Sequence, residues 1–141
     1  MIVRDLLPTD LSAATALLGQ LGYPLSETEL QKRLDRVAAA PDHAVRVAES
    51  AGAIVGLIHM FERPALEKPC EAVVQALVVA AEYRGTGVGA LLMQEAEAWA
   101  RSRGLPGITL YTRIDRDAAR AFYERLGYRR SATSHQMRRD L

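Results

Sequence analysis

The chain has 141 residues, 49% of them hydrophobic and 25% charged, with a formal net charge of +1. That composition fits one soluble globular domain spanning 1–141. It leaves no basic excess to neutralise a nucleic-acid backbone, and no run approaches the ~18 apolar residues of a membrane span. The one cysteine, Cys70, excludes an internal disulfide, and Arg4 and Asp5 interrupt any apolar leader, so the expected location is the cytoplasm.

Ile2 to Arg4 reads as a short first strand. Pro8-Thr9-Asp10 offers helix-cap chemistry, and Leu11, Ala14, Leu18 and Leu21 recur at helical spacing up to Gly22. Ser26 with Glu29 forms a capping box ahead of a second apolar stripe, Leu30, Leu34, Val37 and Ala38. His43 to Glu49 and Ala53 to Arg63 are strand-forming runs joined at Ser50-Ala51-Gly52, a hairpin signature. Pro64 to Pro69 breaks the chain before a further strand, Glu71 to Val79. Val88, Leu91, Leu92, Ala96 and Trp99 describe a helix laid on a sheet and ended by Gly104. Gly107 to Thr112 is another strand. Asp115 or Asp117 can cap a helix carrying Ala119, Phe122, Tyr123 and Leu126, and Tyr128 to Leu141 is left for one or two final strands. The order β-α-α-β-β-β-α-β-α-β, with room for one more strand, is an α/β pattern with a mixed sheet.

The most informative segment is Arg84-Gly85-Thr86-Gly87-Val88-Gly89-Ala90, which joins a strand to an amphipathic helix. A glycine-rich turn there leaves backbone N–H groups unshielded at a helix N-terminus, where the peptide dipoles favour an anion such as phosphate. Glycine at 85, 87 and 89 permits φ > 0 and close backbone approach, and Arg84 adds a planar, permanently charged donor. A P-loop needs Lys-Ser/Thr after its last glycine, and Val88-Gly89-Ala90 supplies none. The dinucleotide fingerprint is formally met by Gly85-x-Gly87-x-x-Ala90. However, Ala80 to Arg84 stands between strand and glycine, where that motif has the strand run straight in. A third pattern, Arg-x-x-Gly-x-Gly/Ala, is matched by Arg84 to Gly89.

That third pattern is the pyrophosphate loop of acyl-CoA-dependent N-acetyltransferases. With Phe122-Tyr123-Glu124-Arg125-Leu126-Gly127-Tyr128 near the end, the chain closely resembles the GNAT superfamily over nearly its whole length, most strongly from Val73 to Tyr128. The resemblance implies a mostly antiparallel sheet flanked by helices and splayed between its fourth and fifth strands, with acetyl-CoA as acetyl donor and no metal. Backbone groups around Leu77, Val78 and Val79 would bond the pantetheine amides as a missing strand would. Arg84 and the amides of Gly85, Thr86, Gly87, Val88, Gly89 and Ala90 would hold the pyrophosphate. Arg116 stands where relatives often carry an asparagine that contacts the cofactor, and it is a candidate, with Arg120, for a CoA phosphate. Homodimers are common among similar proteins.

Acetyl transfer to an amine needs a deprotonated nucleophile, donors for the developing oxyanion and an acid for the departing thiolate. By resemblance Tyr123 is the acid. The acidic position relatives often use as base, on the fourth strand, is occupied here by Gln75 and Ala76. Glu71, acting through water, and His59, brought near Val74 or Gln75 by the turn at Pro64 to Pro69, are the candidate bases. The resemblance further implies that the acceptor meets the loop Gly22, Tyr23, Pro24 and Leu25, together with Phe61 and Glu62. The expected function is direct transfer of acetyl from acetyl-CoA to a primary amine of a small molecule or peptide. The alternative is an acyl-CoA-binding sensor or docking module, and a nicotinamide-dependent oxidoreductase is a distant third.

Overall fold

A computed structural model describes every residue from Met1 to Leu141, and the chain groups into two compact units, Met1–Tyr111 and Thr112–Leu141. The first unit holds a five-stranded sheet in the order β1 (Ile2–Asp5), β2 (His43–Ser50), β3 (Ala53–Arg63), β4 (Glu71–Val79) and β5 (Ile108–Leu110). Neighbours are antiparallel except β4 and β5, which are parallel and therefore need a crossover. Helix α3 (Val88–Ser102) is that crossover, and α1 (Leu11–Leu21) and α2 (Glu27–Ala38) connect β1 to β2.

The two faces of the sheet follow from strand alternation. Val47, Leu57 and Val78 point to one side and close a buried cluster with Ala14 and Leu17 of α1 and Leu30 of α2. On the other side Ile58 and Met60 are fully buried in the sheet, as Leu92 and Met93 are on α3. Each such side chain is worth about 1.5–3 kcal/mol relative to exposure. Gly56 brings α3 close: a Cβ built on it would stand 2.9 Å from Leu92 Cδ1 and 3.0 Å from Val88 Cγ1. Half of the expected capping box forms: the Glu29 N–H donates to Ser26 Oγ at 3.1 Å, while the Glu29 carboxylate accepts the Ser26 hydroxyl at 3.2 Å in place of its backbone N–H. Gly22 ends α1 at φ 105°, donating to the Leu18 and Gly19 carbonyls. Asp10 serves differently from a simple cap. It is only 6% exposed, and it accepts the Leu7 N–H at 2.7 Å and both ends of the Arg4 guanidinium at 2.7 and 3.1 Å.

The second unit contains α4 (Asp117–Arg125) and the C-terminal residues. Neither Asp115 nor Asp117 caps α4. Arg113 takes Asp115, Arg120 takes Asp117, and Arg116 stands at the N-cap without a side-chain bond. The final strand expected within Tyr128–Leu141 is absent, and no residue after Arg125 is in helix or strand. The stretch lacks the alternating apolar residues that would give a strand a buried face, and Arg129 to Leu141 is exposed throughout.

Candidate active site

In the first unit β4 has partners on both sides only at its beginning. Pairing with β5 runs Ala72 to Ile108, Val73 to Thr109 and Val74 to Leu110, then stops, whereas pairing with β3 continues to Val79. From Gln75 to Val79 the β5-facing edge of β4 therefore has no strand partner, in keeping with the splay that the resemblance implies. The register also shifts here: His59 opposes Ala76 and Met60 opposes Val74, so Gln75 is the extra residue of a bulge. Gln75 is exposed, and Ala76 and Leu77 are half-exposed, although they belong to a central strand.

Past β4 the chain makes one 3₁₀ turn, Ala81–Tyr83, pinned to α1 by the Ala81 N–H donating to Gln20 Oε1 at 2.9 Å. It then enters the glycine loop. Gly85 and Gly87 have φ of 77° and 93°, and a Cβ on either would meet open space rather than protein. Backbone conformation thus sets the need for glycine at both, and the space beyond them is free for a ligand. Gly89 differs from the expectation: it lies inside the first turn of α3 and does not have a positive φ. None of the amides from Gly85 to Ala90 has a protein acceptor. The first to find one is Leu91, which donates to the Gly87 carbonyl at 3.0 Å. The Thr86 hydroxyl donates to the Tyr83 carbonyl, and Arg84 Nε donates to the Val79 carbonyl at 3.3 Å, tying the loop to the end of the open strand. This array of outward donors at a helix N-terminus fits a diphosphate.

His59 lies on the α1/α2 side of the sheet, as do its β2 neighbours Val45 and His43 by register. His43 Nδ1 and His59 Nε2 are 2.9 Å apart, their rings stack at 5.2 Å, and His43 also stacks on Phe61 at 4.9 Å. Burial, then the neighbouring His43, pushes the His59 imidazolium down to about 4. His43 gave no sequence signal of its own, and only the register that pairs it with Phe61 brings it to His59.

Glu71 stands at the far end of β4. It accepts the Thr109 hydroxyl at 2.8 Å and lies 3.7 Å from Arg63, whose Nε and Nη2 are buried without a hydrogen bond. Glu62 does not stand with Phe61. It points to the α3 side, and its carboxylate accepts Arg103 Nε at 2.8 Å, so it is already neutralised. Tyr23 is exposed in the α1–α2 loop.

In the second unit Tyr123 is half-buried, with ring contacts to Phe122 at 5.0 Å and Tyr128 at 6.1 Å. Burial raises its phenol above the ordinary tyrosine value, so it holds its proton through the neutral range. Arg120 pairs with Asp117 and Glu124 along α4, while Arg116 is exposed. No group of His, Cys, Asp and Glu side chains is arranged to hold a metal ion, and no helix is long and apolar enough to cross a membrane.

The acetyltransferase (GNAT) family model matches residues 11–128. A glucosamine 6-phosphate N-acetyltransferase of Trypanosoma brucei brucei is 34% identical over 144 residues, covering 99% of this chain and 95% of that protein. A solved Trypanosoma brucei acetyltransferase superposes with a TM-score of 0.79 at 32% identity, covering 99% of each chain. An aminoglycoside 6′-N-acetyltransferase of Acinetobacter haemolyticus shares the fold, with a TM-score of 0.88 at 16% identity, covering 100% of this chain and 99% of the other.

Proposed function

The chain belongs to the acetyltransferase (GNAT) family, and from that premise we propose that it moves an acetyl group from acetyl-CoA directly to the primary amine of a small molecule or peptide. The observation that carries this reading is the continuity of two unsatisfied backbone surfaces. The open edge of β4 from Gln75 to Val79 runs into the outward amides of Gly85 to Ala90, bridged by Arg84. An extended pantetheine would pair with the first, and the diphosphate would occupy the second. Arg116 is the remaining candidate for another CoA phosphate, since Arg120 already has carboxylate partners.

Tyr123 is assigned the acid that protonates the departing thiolate. A phenol kept neutral well above neutral pH suits that task. Tyr123→Phe is expected to lower kcat by about 10²-fold while leaving acetyl-CoA affinity within twofold, checked by steady-state kinetics beside calorimetry. An unchanged kcat removes the role.

The acceptor of the trypanosome relative, glucosamine 6-phosphate, is the first amine to try. Calorimetry with CoA, followed by free-thiol release from acetyl-CoA across a panel of amines, tests the whole reading. Absence of CoA binding overturns it. Tight CoA binding without amine-dependent thiol release instead makes the domain an acyl-CoA sensor or docking module.

A further inference from the structure

β4 carries no carboxylate where the amine would be deprotonated, since Gln75 and Ala76 occupy the bulge. Directly across the ladder from Ala76 stands His59, one strand from the open edge. Side chains facing each other across an antiparallel pair are about 5 Å apart at Cβ. His59 Nε2 is already taken by His43 Nδ1 at 2.9 Å, while His59 Nδ1 and His43 Nε2 have no protein partner. Two imidazoles joined nitrogen to nitrogen, each with its other nitrogen free, form a path for one proton from the bulge toward β2.

We propose that His59 and His43 act together as the proton acceptor for the substrate amine, His59 taking the proton at Nδ1 and His43 holding the resulting charge. This rests on the acetyl-transfer reading given above. In the resting pair His59 Nε2–H donates to His43 Nδ1. When the ammonium gives a proton to His59 Nδ1, the Nε2 proton crosses to His43 Nδ1. His59 ends neutral, His43 becomes an imidazolium, and the amine has its lone pair. The nitrogen attacks the thioester carbonyl carbon and the C–S bond breaks. The second N–H proton lost as the amide forms balances the one taken up by the thiolate. One proton therefore remains, and His43 Nε2 returns it to solvent; exchange with solvent then resets the pair, His59 Nδ1 losing its proton and His43 Nε2 regaining one as the Nδ1 proton of His43 crosses back to His59 Nε2.

The surroundings favour charge on His43 over His59. Burial disfavours the cation on His59, and Val45, Leu57 and Ala76 around it are apolar. Helix α1 carries no titratable side chain, and the charged residues of α2, Glu27, Glu29, Lys32, Arg33, Asp35 and Arg36, are all exposed. Farther along the same face Arg63 and Glu71 pair with each other, while on the α3 side Asp42 and Glu62 are held by Arg103. The π-face of Phe61, stacked on His43, adds cation stabilisation there.

Two measurements test the pair. In the wild-type protein, NMR titration of the imidazole carbons is expected to keep His59 neutral until about pH 4; a His59 ring that takes up its proton near the ordinary 6.5 overturns the proposal. His59→Gln and His43→Gln are each expected to lower kcat/KM at neutral pH by about 10²-fold for a lysine-like amine of pKa ~10.4. The loss should shrink toward none for a weakly basic amine that is already unprotonated. Equal losses on both amines, or no loss on either, overturn the proposal. Calorimetry of the same variants with CoA separates the two levels, because failure of CoA binding in the wild type refutes the acetyl-transfer reading instead.

Discussion

The two faces of the β2–β3 ladder are built from alternate residues of the same strands and differ in how completely they are closed. Toward α3, Arg46 is taken by Asp5 and Glu95 at 2.5 Å each, and Glu62 and Asp42 share Arg103, whose guanidinium lies 5.0 Å from the Trp99 ring. Gly56, Ile58 and Met60 complete a packed layer under Leu92 and Met93. Toward α1 and α2, the buried cluster ends at Val45, and beyond it come Phe61 and the imidazoles of His59 and His43, whose one hydrogen bond is to each other. Alternation lets one strand serve as scaffold on one side and reactive surface on the other, so substitutions two residues apart on β3 have different consequences according to face.

The largest expected effect comes from forcing the closed face open. Gly56→Val places branched carbons where even a Cβ would lie 2.9 Å from Leu92 Cδ1, 3.0 Å from Val88 Cγ1 and 3.3 Å from the Val78 carbonyl. Overpacking of that kind costs about 2–3 kcal/mol. Because α3 carries the amides of the glycine loop at its N-terminus, CoA affinity should fall with stability. Denaturant melts and calorimetry on one preparation check both, and a stable variant that has lost CoA binding alone would break the contrast between the faces.

On the open face the expected stability effect is a pH dependence. His59 takes up a proton near pH 6.5 in the unfolded chain but only near 4 in the fold. Its contribution is therefore complete above 6.5 and is lost progressively as pH falls toward 4. Melting temperature measured over that interval should drop more steeply for the wild type than for His59→Gln. Parallel curves would mean that the imidazole is not held neutral.

A smaller effect distinguishes Glu71 from the imidazole pair. Glu71→Gln retains an acceptor for the Thr109 hydroxyl and removes only the charge 3.7 Å from Arg63. Stability should change by less than about 1 kcal/mol, with kcat within twofold. A hundredfold fall in kcat would move the base from His59 and His43 to Glu71 acting through water.

The glycine loop was legible in the sequence because its constraint is local. Positive φ at Gly85 and Gly87, unpaired amides and a helix start all follow from a few adjacent residues. The helices, the hairpin and the opening between β4 and β5 were legible for the same reason, or from the family pattern. The His43–His59 contact was not, because the residues are 16 apart and meet only through the register of a hairpin whose turn the sequence marks but whose pairing it does not print. Glu62 was grouped with Phe61 as a neighbour in sequence, although adjacent strand residues face opposite sides. The final strand was assigned to Tyr128–Leu141 because those residues remained after the last helix, and they carry no apolar alternation.

That register has a weak point, which gives the smallest effect. The β2–β3 turn closes on Ser50 and Ala53, with Ala51 at φ 50° and Gly52 at φ 80°, so both central residues are left-handed. Such two-residue turns match the strand twist and prefer Asn-Gly, whereas alanine at the first position is strained. The turn helps set which β2 residue opposes which on β3, and a slip of one residue would send His43 to the α3 side and Arg46 to the imidazole side. Ala51→Asn should therefore stabilise the arrangement of both faces together, by about 0.5–1 kcal/mol. Chemical denaturation should show a higher midpoint with the slope unchanged, and kcat/KM should stay as it was. A gain in stability accompanied by lost activity would mean that the strained turn holds β2 in a register that a relaxed turn does not keep, and the closed and open faces would then depend on that strain.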